Sequence, residues 1–336
     1  MSILITGGMG FIGKHLIRLL LKDTKTEKLI CVDNLGSGNL DNTNDFINND
    51  RFIFIKMDIC NKDDIQKIKE EVEKTHTKIN QIYHLACPAS PDYYKKFPFD
   101  TIDTCYQGTK NILDLAYFYQ STLLYTSTSE VYGDPQINPQ KEDYYGNVNT
   151  IGSRSCYDEG KRIGETLCYL YKMEKNVDIR IVRIFNTYGE GMLLDDGRVI
   201  TNIIKSLITL TKFKINGDGT QTRSFCHVSD LIRGLYVFMN KKMENGYFYP
   251  YSTKNEKLYL PIINLGNPNE KSINEVVKIV ESLLNRKIEV EYIGFSENDP
   301  QKRRPDINLA LKYLNWQPEV SFMEGFMLMW DFYNKN

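Results

Sequence analysis

One short segment constrains this chain more than any other. Gly7-Gly8-Met9-Gly10-Phe11-Ile12-Gly13 stands between a brief apolar run, Ile3–Thr6, and an amphipathic stretch, Phe11–Lys22. Glycines at 7, 10 and 13 permit a tight turn, a close approach of backbone to phosphate, and close packing of a helix on a strand. A helix starting there turns unpaired N–H groups, those of Phe11 and Ile12 among them, and its positive dipole end toward a pyrophosphate. The spacing alone is weak evidence, but a strand before it and a helix after it are what a dinucleotide motif demands. Asp33 closes the second apolar run, 20 residues past Gly13. A carboxylate there accepts from a ribose 2′-hydroxyl and repels a 2′-phosphate, so NAD is expected rather than NADP. Asp58, after the third run, either reaches the adenine or caps the next helix. Ile59 and Leu85 are read as lining the same path.

Strand-like runs recur at Leu29–Val32, Phe52–Ile55, Ile79–Leu85, Leu123–Ser127 and Ile179–Ile184. Helical patterns fall between most of them, at Asp63–Lys74, Thr101–Tyr119 and Tyr157–Met173. Alternation of this kind predicts an α/β fold, a doubly wound parallel sheet of Rossmann type. Beyond about residue 185 the pattern loosens into helices at Ile200–Leu210, Val228–Met239, Ile273–Leu284 and Phe322–Tyr333. The expected division is residues 1–185 for the dinucleotide and 186–336 for a smaller C-terminal α/β substrate lobe, partly interleaved with the first. Lys241–Leu260, rich in Tyr, Asn and Lys, reads as a surface loop without an assigned role.

Composition narrows the partners. Lys and Arg number 42 against 43 Asp and Glu, a net charge of −1. That balance gives no electrostatic footprint for nucleic acid or an anionic membrane. No apolar run reaches the length of a membrane span, and with a first strand expected from about residue 3 no targeting peptide is expected. The seven cysteines are scattered without CxxC spacing or a histidine-rich partner cluster. They read as reduced thiols in a cytoplasm, with no metal site expected.

Tyr157 and Lys161 lie four residues apart. On a helix they share a face, where an ammonium favours the phenolate and lowers its pKa toward that of a general base. With 22 tyrosines in the chain the spacing means little by itself. Its place matters: the pair opens a helix about 30 residues after the strand that ends Thr126-Ser127-Thr128-Ser129-Glu130. In a doubly wound sheet such strand ends face the cofactor cleft. Thr128 and Ser129 read either as cleft hydroxyls or as a turn satisfying its own backbone.

Together the glycine turn, the Thr126–Gly133 segment and the Tyr157/Lys161 pair resemble the extended short-chain dehydrogenase/reductases that act on nucleotide sugars. Longer matches at His84–Pro91, Ser129–Pro135, Cys156–Arg162, Arg183–Gly189, Asp196–Val199 and Asp299–Asp306 resemble the UDP-glucuronic acid decarboxylase (UDP-xylose synthase) family over essentially the whole chain.

That resemblance implies a carboxy-lyase with tightly bound NAD acting on UDP-glucuronate or a related UDP-sugar. Tyr157 would take the C4 hydroxyl proton while hydride leaves C4, Lys161 would hold the nicotinamide ribose, and Thr128 would bond the C4 oxygen. The resulting 4-keto acid loses carbon dioxide, and return of hydride yields UDP-xylose. Glu130 and Arg303 match positions tied to the carboxylate and to C5, and Arg154 matches a substrate-side arginine. Arg198, Arg223 and Arg303 would pair with the uronate or the diphosphate. Asn186 and Asn202 would serve phosphate or uracil, and Tyr94 the sugar. Ser129 stands where related 4,6-dehydratases carry a proton-donating Asp, which favours decarboxylation. The alternative on this scaffold is a UDP-sugar or UDP-glucuronate 4-epimerase. Resemblance also implies a homodimer through the Thr101–Tyr119 and Tyr157–Met173 helices. The chain departs from the family pattern at Gly189–Met192, at Gly36–Asp41, at Cys105 where Asn is usual, and at Cys87 in place of Ser.

Overall fold

A computed structural model describes residues 1–242, 251–253, 256–258, 260–294 and 302–335. Six strands, β1 (Ser2–Thr6), β2 (Lys28–Asp33), β3 (Phe52–Lys56), β4 (Ile79–His84), β5 (Thr122–Thr128) and β6 (Ile179–Ile184), join Ile262–Leu265 in one parallel sheet. Its order is Ile262–Leu265, β6, β5, β4, β1, β2, β3. Strands of a sheet covered on both faces must be apolar throughout, and every residue of β1 is buried. Alternation then divides the side chains: Ile3 and Ile5 enter one core, Leu4 the other.

Against the first face pack α1 (Phe11–Lys22) and α8 (Val228–Asn240), with Leu16, Ile17 and Leu20 meeting Leu231, Leu235 and Phe238. Against the second lie α2 (Lys62–Lys74), α5 (Thr109–Tyr119) and α6 (Ser155–Lys175), through Val72, Ile112, Ala116, Leu167 and Cys168. The short helices α3 (Pro91–Lys96) and α4 (Pro98–Asp103) lead into α5. A separate core gathers α7 (Val199–Thr209), α9 (Ile273–Leu284) and α11 (Phe322–Asn334) around Phe213, Ile215 and Phe225. α10 (Asn308–Leu314) and Trp316 belong to the first core instead, where the Trp316 indole N–H donates to the Asp230 carbonyl at 3.0 Å.

Three local readings are corrected. The sheet takes a seventh strand, Ile262–Leu265, from far along the chain; it pairs in parallel with β6, Ile263 opposite Val182. The expected helix Thr101–Tyr119 is interrupted, because α4 passes through a π turn at Thr104–Gly108 before α5 begins. Asp58 does not cap α2: that cap is Asn61, whose side chain accepts from the N–H groups of Asp63 and Asp64, while Asp58 Oδ1 accepts from Cys60 N at 2.8 Å. The expected loop Lys241–Leu260 lies largely outside the described residues. Within it Tyr251–Thr253 and Glu256–Leu258 pair antiparallel, and Leu260 is buried.

The sheet order fixes where a ligand can enter. The chain runs outward from β1 to β3, then returns to place β4 on the other side of β1. The connections after β1 and β4 therefore diverge, and a crevice opens at their C-terminal ends. Gly7 N donates to Val32 O at 2.9 Å and Leu85 N to Thr6 O at 3.1 Å, which pins both walls of that crevice to the sheet.

Candidate active site

A cleft of about 860 Å³ runs from the glycine turn, over the sheet, to the α7/α9 lobe. Gly7 holds φ +71°, and a Cβ there would stand 2.6 Å from Ala86 N, so only glycine fits the turn. At Gly13 a Cβ would meet Gly8 Cα at 2.5 Å, which is the close helix–turn packing read from the sequence. Gly10 differs: its Cβ would meet only Gly7 O, at 3.4 Å, so the backbone there borders open space. Gly10 is also the N-cap of α1 and supplies no side-chain acceptor. The first N–H groups of α1 thus face the cleft uncapped, the cradle a pyrophosphate requires.

Asp33 sits at the β2 end of this cradle. Its Oδ2 accepts from Met9 N at 3.0 Å and its Oδ1 from Leu35 N at 2.8 Å. Burial raises its pKa and these two N–H groups oppose the rise. Each oxygen keeps a second lone pair for a ribose hydroxyl. Asp58, Ile59 and Leu85 line the same end with Phe11 and Ile12, so the residues present fit NAD. Two shaping residues were not visible in sequence. Asn42 donates to Met9 O and accepts from Lys14, while Lys14 Nζ also donates to Gly191 O at 2.7 Å. Their contacts span 28 to 177 positions, beyond any motif.

Mid-cleft, Thr128 at the end of β5 and Tyr157 and Lys161 on the first turns of α6 come together, all buried. The Thr128 hydroxyl lies close enough to Tyr157 to favour its ionised form. Lys161 Nζ donates to Thr126 O at 2.8 Å and lies 6.0 Å from the Tyr157 ring centre. Behind it, His84 bonds the hydroxyls of Thr6 at 2.7 Å and Thr109 at 3.0 Å. Burial, with the Lys161 charge adding, drives the His84 pKa down to about 3, so it stays neutral. The expected lowering of the Tyr157 pKa is not what the structure gives. Burial pushes the phenol well above its ordinary value, the Cys87 and Glu130 charges add to that, and Thr128 and Arg198 only partly oppose it. Position, not a standing phenolate, is what this packing supplies.

Next to Thr128 lies a charged cluster. Arg303 Nη1 donates to Glu130 Oε1 at 2.8 Å and to Ser129 Oγ at 2.9 Å, and Nη2 to Gly133 O at 3.0 Å. Arg154, the N-cap of α6, pairs with the same Glu130. Burial alone would raise the Glu130 carboxyl, but Arg303 and then Arg154 outweigh it and hold it at about 2. Arg303 Nε is buried and finds no acceptor among the described residues. The strand pairing that sets Arg303 beside Arg223 joins two segments only 2 and 3 residues long. The Tyr94 ring stacks on Tyr157 at 5.1 Å and 6°, with its buried hydroxyl without a partner among the described residues.

The remaining substrate-side residues line the far half of the cleft. Arg198 donates to Ala89 O at 3.0 Å and pairs with Asp196, Asn202 donates to Gly197 O at 3.1 Å, and Asn186 lies near Phe185. Gln221, Phe225 and Lys214 also line this end, though nothing in the sequence marked them. Their strands, Phe213–Asn216 and Thr222–Ser224, are too short to carry a period. No group of three or more metal-ligating side chains occurs among the described residues.

An uncapped glycine-turn helix end, a buried carboxylate and a buried Tyr–Lys pair on one cleft define a Rossmann-fold enzyme with room for a dinucleotide beside a buried phenol. The model of the NAD dependent epimerase/dehydratase family matches residues 3–249. UDP-glucuronic acid decarboxylase 6 of Arabidopsis thaliana is 44% identical over 329 residues, 98% of this chain and 88% of that protein. UDP-glucuronic acid decarboxylase 1 of Danio rerio is 41% identical over 323 residues, 96% of this chain and 70% of that protein. Among solved structures, the UDP-glucuronic acid 4-epimerase of Bacillus cereus, in complex with UDP-glucuronic acid and NAD, superposes with a TM-score of 0.84 at 26% identity. It covers 100% of this chain and 99% of that one. The chain belongs to the NAD-dependent epimerase/dehydratase family and, within it, to the UDP-glucuronic acid decarboxylases. Its cofactor is NAD.

Proposed function

We propose that this enzyme converts UDP-glucuronate into UDP-xylose and carbon dioxide through a 4-keto sugar, with no net redox change. The observation that carries the reading is the junction of two sets of side chains. Thr128, Tyr157 and Lys161 adjoin Ser129, Glu130 and Arg303 through consecutive residues of one strand end. The decarboxylases among its relatives give the substrate.

In this reading NAD, when bound, would supply the acceptor for a hydride from C4 of the sugar and the hydride returned there at the end of the cycle. Gly7, Gly10 and Gly13 with the N–H groups of Phe11 and Ile12 hold the pyrophosphate, and Asp33 holds the adenosine ribose. Asp58, Ile59 and Leu85 flank the adenosine end. Lys161 holds the ribose at the reactive end. Tyr157 must first give up its own proton from this buried state; as the phenolate it takes the proton from the C4 hydroxyl and gives it back at the end of the cycle, while Thr128 bonds the same oxygen. A carbonyl at C4 makes the C6 carboxylate a β-keto acid, whose carbon–carbon bond breaks with the electrons moving toward the C4 oxygen; the enolate left behind takes a proton from solvent at C5 before hydride returns to C4. Arg303 and Arg154 orient the uronate. Ser129 accepts from Arg303 and offers no acid able to expel a hydroxyl, which separates this site from a dehydratase. Arg198, Arg223, Asn186, Asn202 and Tyr94 seat the nucleotide and the sugar.

Residues 1–185 supply the dinucleotide half and 186–336 most of the nucleotide-sugar half. A homodimer through the Thr101–Tyr119 and Tyr157–Met173 segments is supported by exposed apolar side chains there: Tyr106, Tyr117, Phe118, Ile163, Leu170 and Met173. We place the enzyme in the cytoplasm; no described helix is long and apolar enough to cross a membrane.

The test is to incubate the protein with UDP-glucuronate and NAD and follow the nucleotide-sugar mass. Loss of one carbon dioxide with UDP-xylose formed supports the reading. A product of unchanged mass and inverted C4 would replace it with the epimerase.

A further inference from the structure

Two thiols face one another beneath the catalytic helix, and the mechanism above uses neither. Cys87 follows β4 and its side chain lines the cleft. Cys105 is buried on the π turn that interrupts α4 and α5. Their Sγ atoms are 3.3 Å apart. An oxidant therefore reaches the pair through Cys87, with Cys105 waiting behind it.

Both sulfurs touch the catalytic centre. The Lys161 ammonium acts on the Cys87 sulfur and favours its thiolate. Cys105 presses on α6 at Gly160, where a Cβ would lie 3.0 Å from Cys105 Sγ. Gly160 sits between Tyr157 and Lys161 in sequence. Cys105 also rides on a π turn, the kind of local irregularity in a helix that accompanies functional sites.

The two thiols are unequal. Burial raises the Cys87 thiol, but the Cys105 hydrogen bond and the Lys161 ammonium outweigh it and hold Cys87 below the ordinary thiol range. Cys105 is pushed well up, first by its bond to Cys87 and then by burial. One sulfur is thus a nucleophile near neutrality and the other keeps its proton until needed, the division of labour between an attacking and a resolving cysteine.

We propose that Cys87 and Cys105 are a redox modification site, closing reversibly into a disulfide under a hydroperoxide and thereby switching off the Tyr157–Lys161 centre. Cys87 thiolate attacks a peroxide oxygen; the S–O bond forms, the O–O bond breaks, and hydroxide leaves to be protonated as water. Cys105 then attacks the Cys87 sulfur; the S–S bond forms, the S–O bond breaks, and the departing hydroxide takes the Cys105 proton as a second water. Two thiols are oxidised and one peroxide is reduced. A disulfide spans about 2 Å, so the sulfurs move together by about 1 Å. That movement takes Cys105 off Gly160 and removes the thiolate beside Lys161. Bound NAD, covering the cleft wall, slows the first step.

Purified wild-type protein, with and without NAD, is treated with hydrogen peroxide, its remaining thiols are alkylated, and intact mass and proteolytic peptides are measured. The expected result is a loss of about 2 Da per chain, a cross-link mapped to Cys87 and Cys105, slower formation with NAD, and recovery of thiols and turnover with dithiothreitol. Cys105→Ser and Cys105→Ala should instead accumulate oxygen on Cys87 without a cross-link, and Cys87→Ser should do neither. The site is overturned if Cys87 alkylates equally before and after peroxide, if the cross-link joins Cys156 instead, or if wild-type Cys87 gains oxygen and never bridges. The switch is overturned if the mapped disulfide leaves turnover unchanged. The wild-type map decides the matter even where a variant fails to fold.

Discussion

Arg303→Ala tests the charged cluster and the chemistry together. Arg303 is 2% exposed and makes four donor contacts, two to Glu130, one to Ser129 and one to the Gly133 carbonyl. Removing one partner of a buried pair costs about 3 to 5 kcal/mol because the other charge is left without compensation. Here Glu130 retains Arg154, which places the cost near about 3 kcal/mol. For a chain of this size that lowers the thermal midpoint by about 4 °C, leaving the variant folded at 25 °C. Activity should fall further than stability. In the proposed mechanism the variant loses a charged donor that orients the reacting carboxylate, and loss of one such donor slows turnover by about 100-fold or more. The assay follows carbon dioxide release and UDP-xylose by mass, alongside thermal unfolding by circular dichroism. Arg303→Lys, which keeps the charge without the planar fork, should recover part of the stability and little of the rate. Wild-type turnover by Arg303→Ala would refute the placement of this arginine in the reaction, and an unchanged midpoint would refute its role in holding Glu130.

Tyr157→Phe should lower turnover by about 100-fold to 10,000-fold while leaving bound NAD, measured by absorbance after denaturation, at the wild-type level; a fully active variant removes Tyr157 as the proton carrier. Gly7→Ala forces a Cβ onto the Ala86 backbone at a positive φ, so it should destabilise the fold by about 2 kcal/mol or more and release NAD; normal cofactor content would contradict the turn geometry. Glu142 tests the pH dependence. It is buried, its Oε1 accepts from Asn264 N at 2.8 Å, and burial raises its pKa to about 7 from 4.5. Between those values the folded state binds a proton that the unfolded state does not, so its contribution to stability is full below pH 4.5 and is lost as pH rises through about 7. Glu142→Gln keeps the acceptor and does not titrate, so its stability relative to wild type should grow by about 3 kcal/mol across that range; parallel denaturation midpoints at both ends would show Glu142 to be ionised throughout.

The cofactor half was legible because its signals are local. Gly7, Gly10 and Gly13 lie in one turn, Asp33 at the end of the next strand, and α1 runs from Phe11 to Lys22 as its apolar spacing foretold. Tyr157 and Lys161 share a helix face, which a four-residue spacing dictates. Charge at the centre of the site was less readable. The spacing predicted a phenol lowered by its lysine, whereas the fold buries that phenol among Cys87, Glu130 and Tyr94, and desolvation prevails.

Short-range pattern therefore determined which segments become strands and helices, and the motifs among them named the chemistry. Tertiary structure alone decided that Ile262–Leu265 completes the sheet beside β6, that Arg303 reaches back to Ser129 and Glu130 across more than 170 positions, and that Cys87 meets Cys105. The physical reason is reach. A periodic pattern reports which face of an element is apolar, because burial acts on each segment singly. Which distant segment covers that face, and which charges are carried into the cleft with it, depends on packing the whole chain at once.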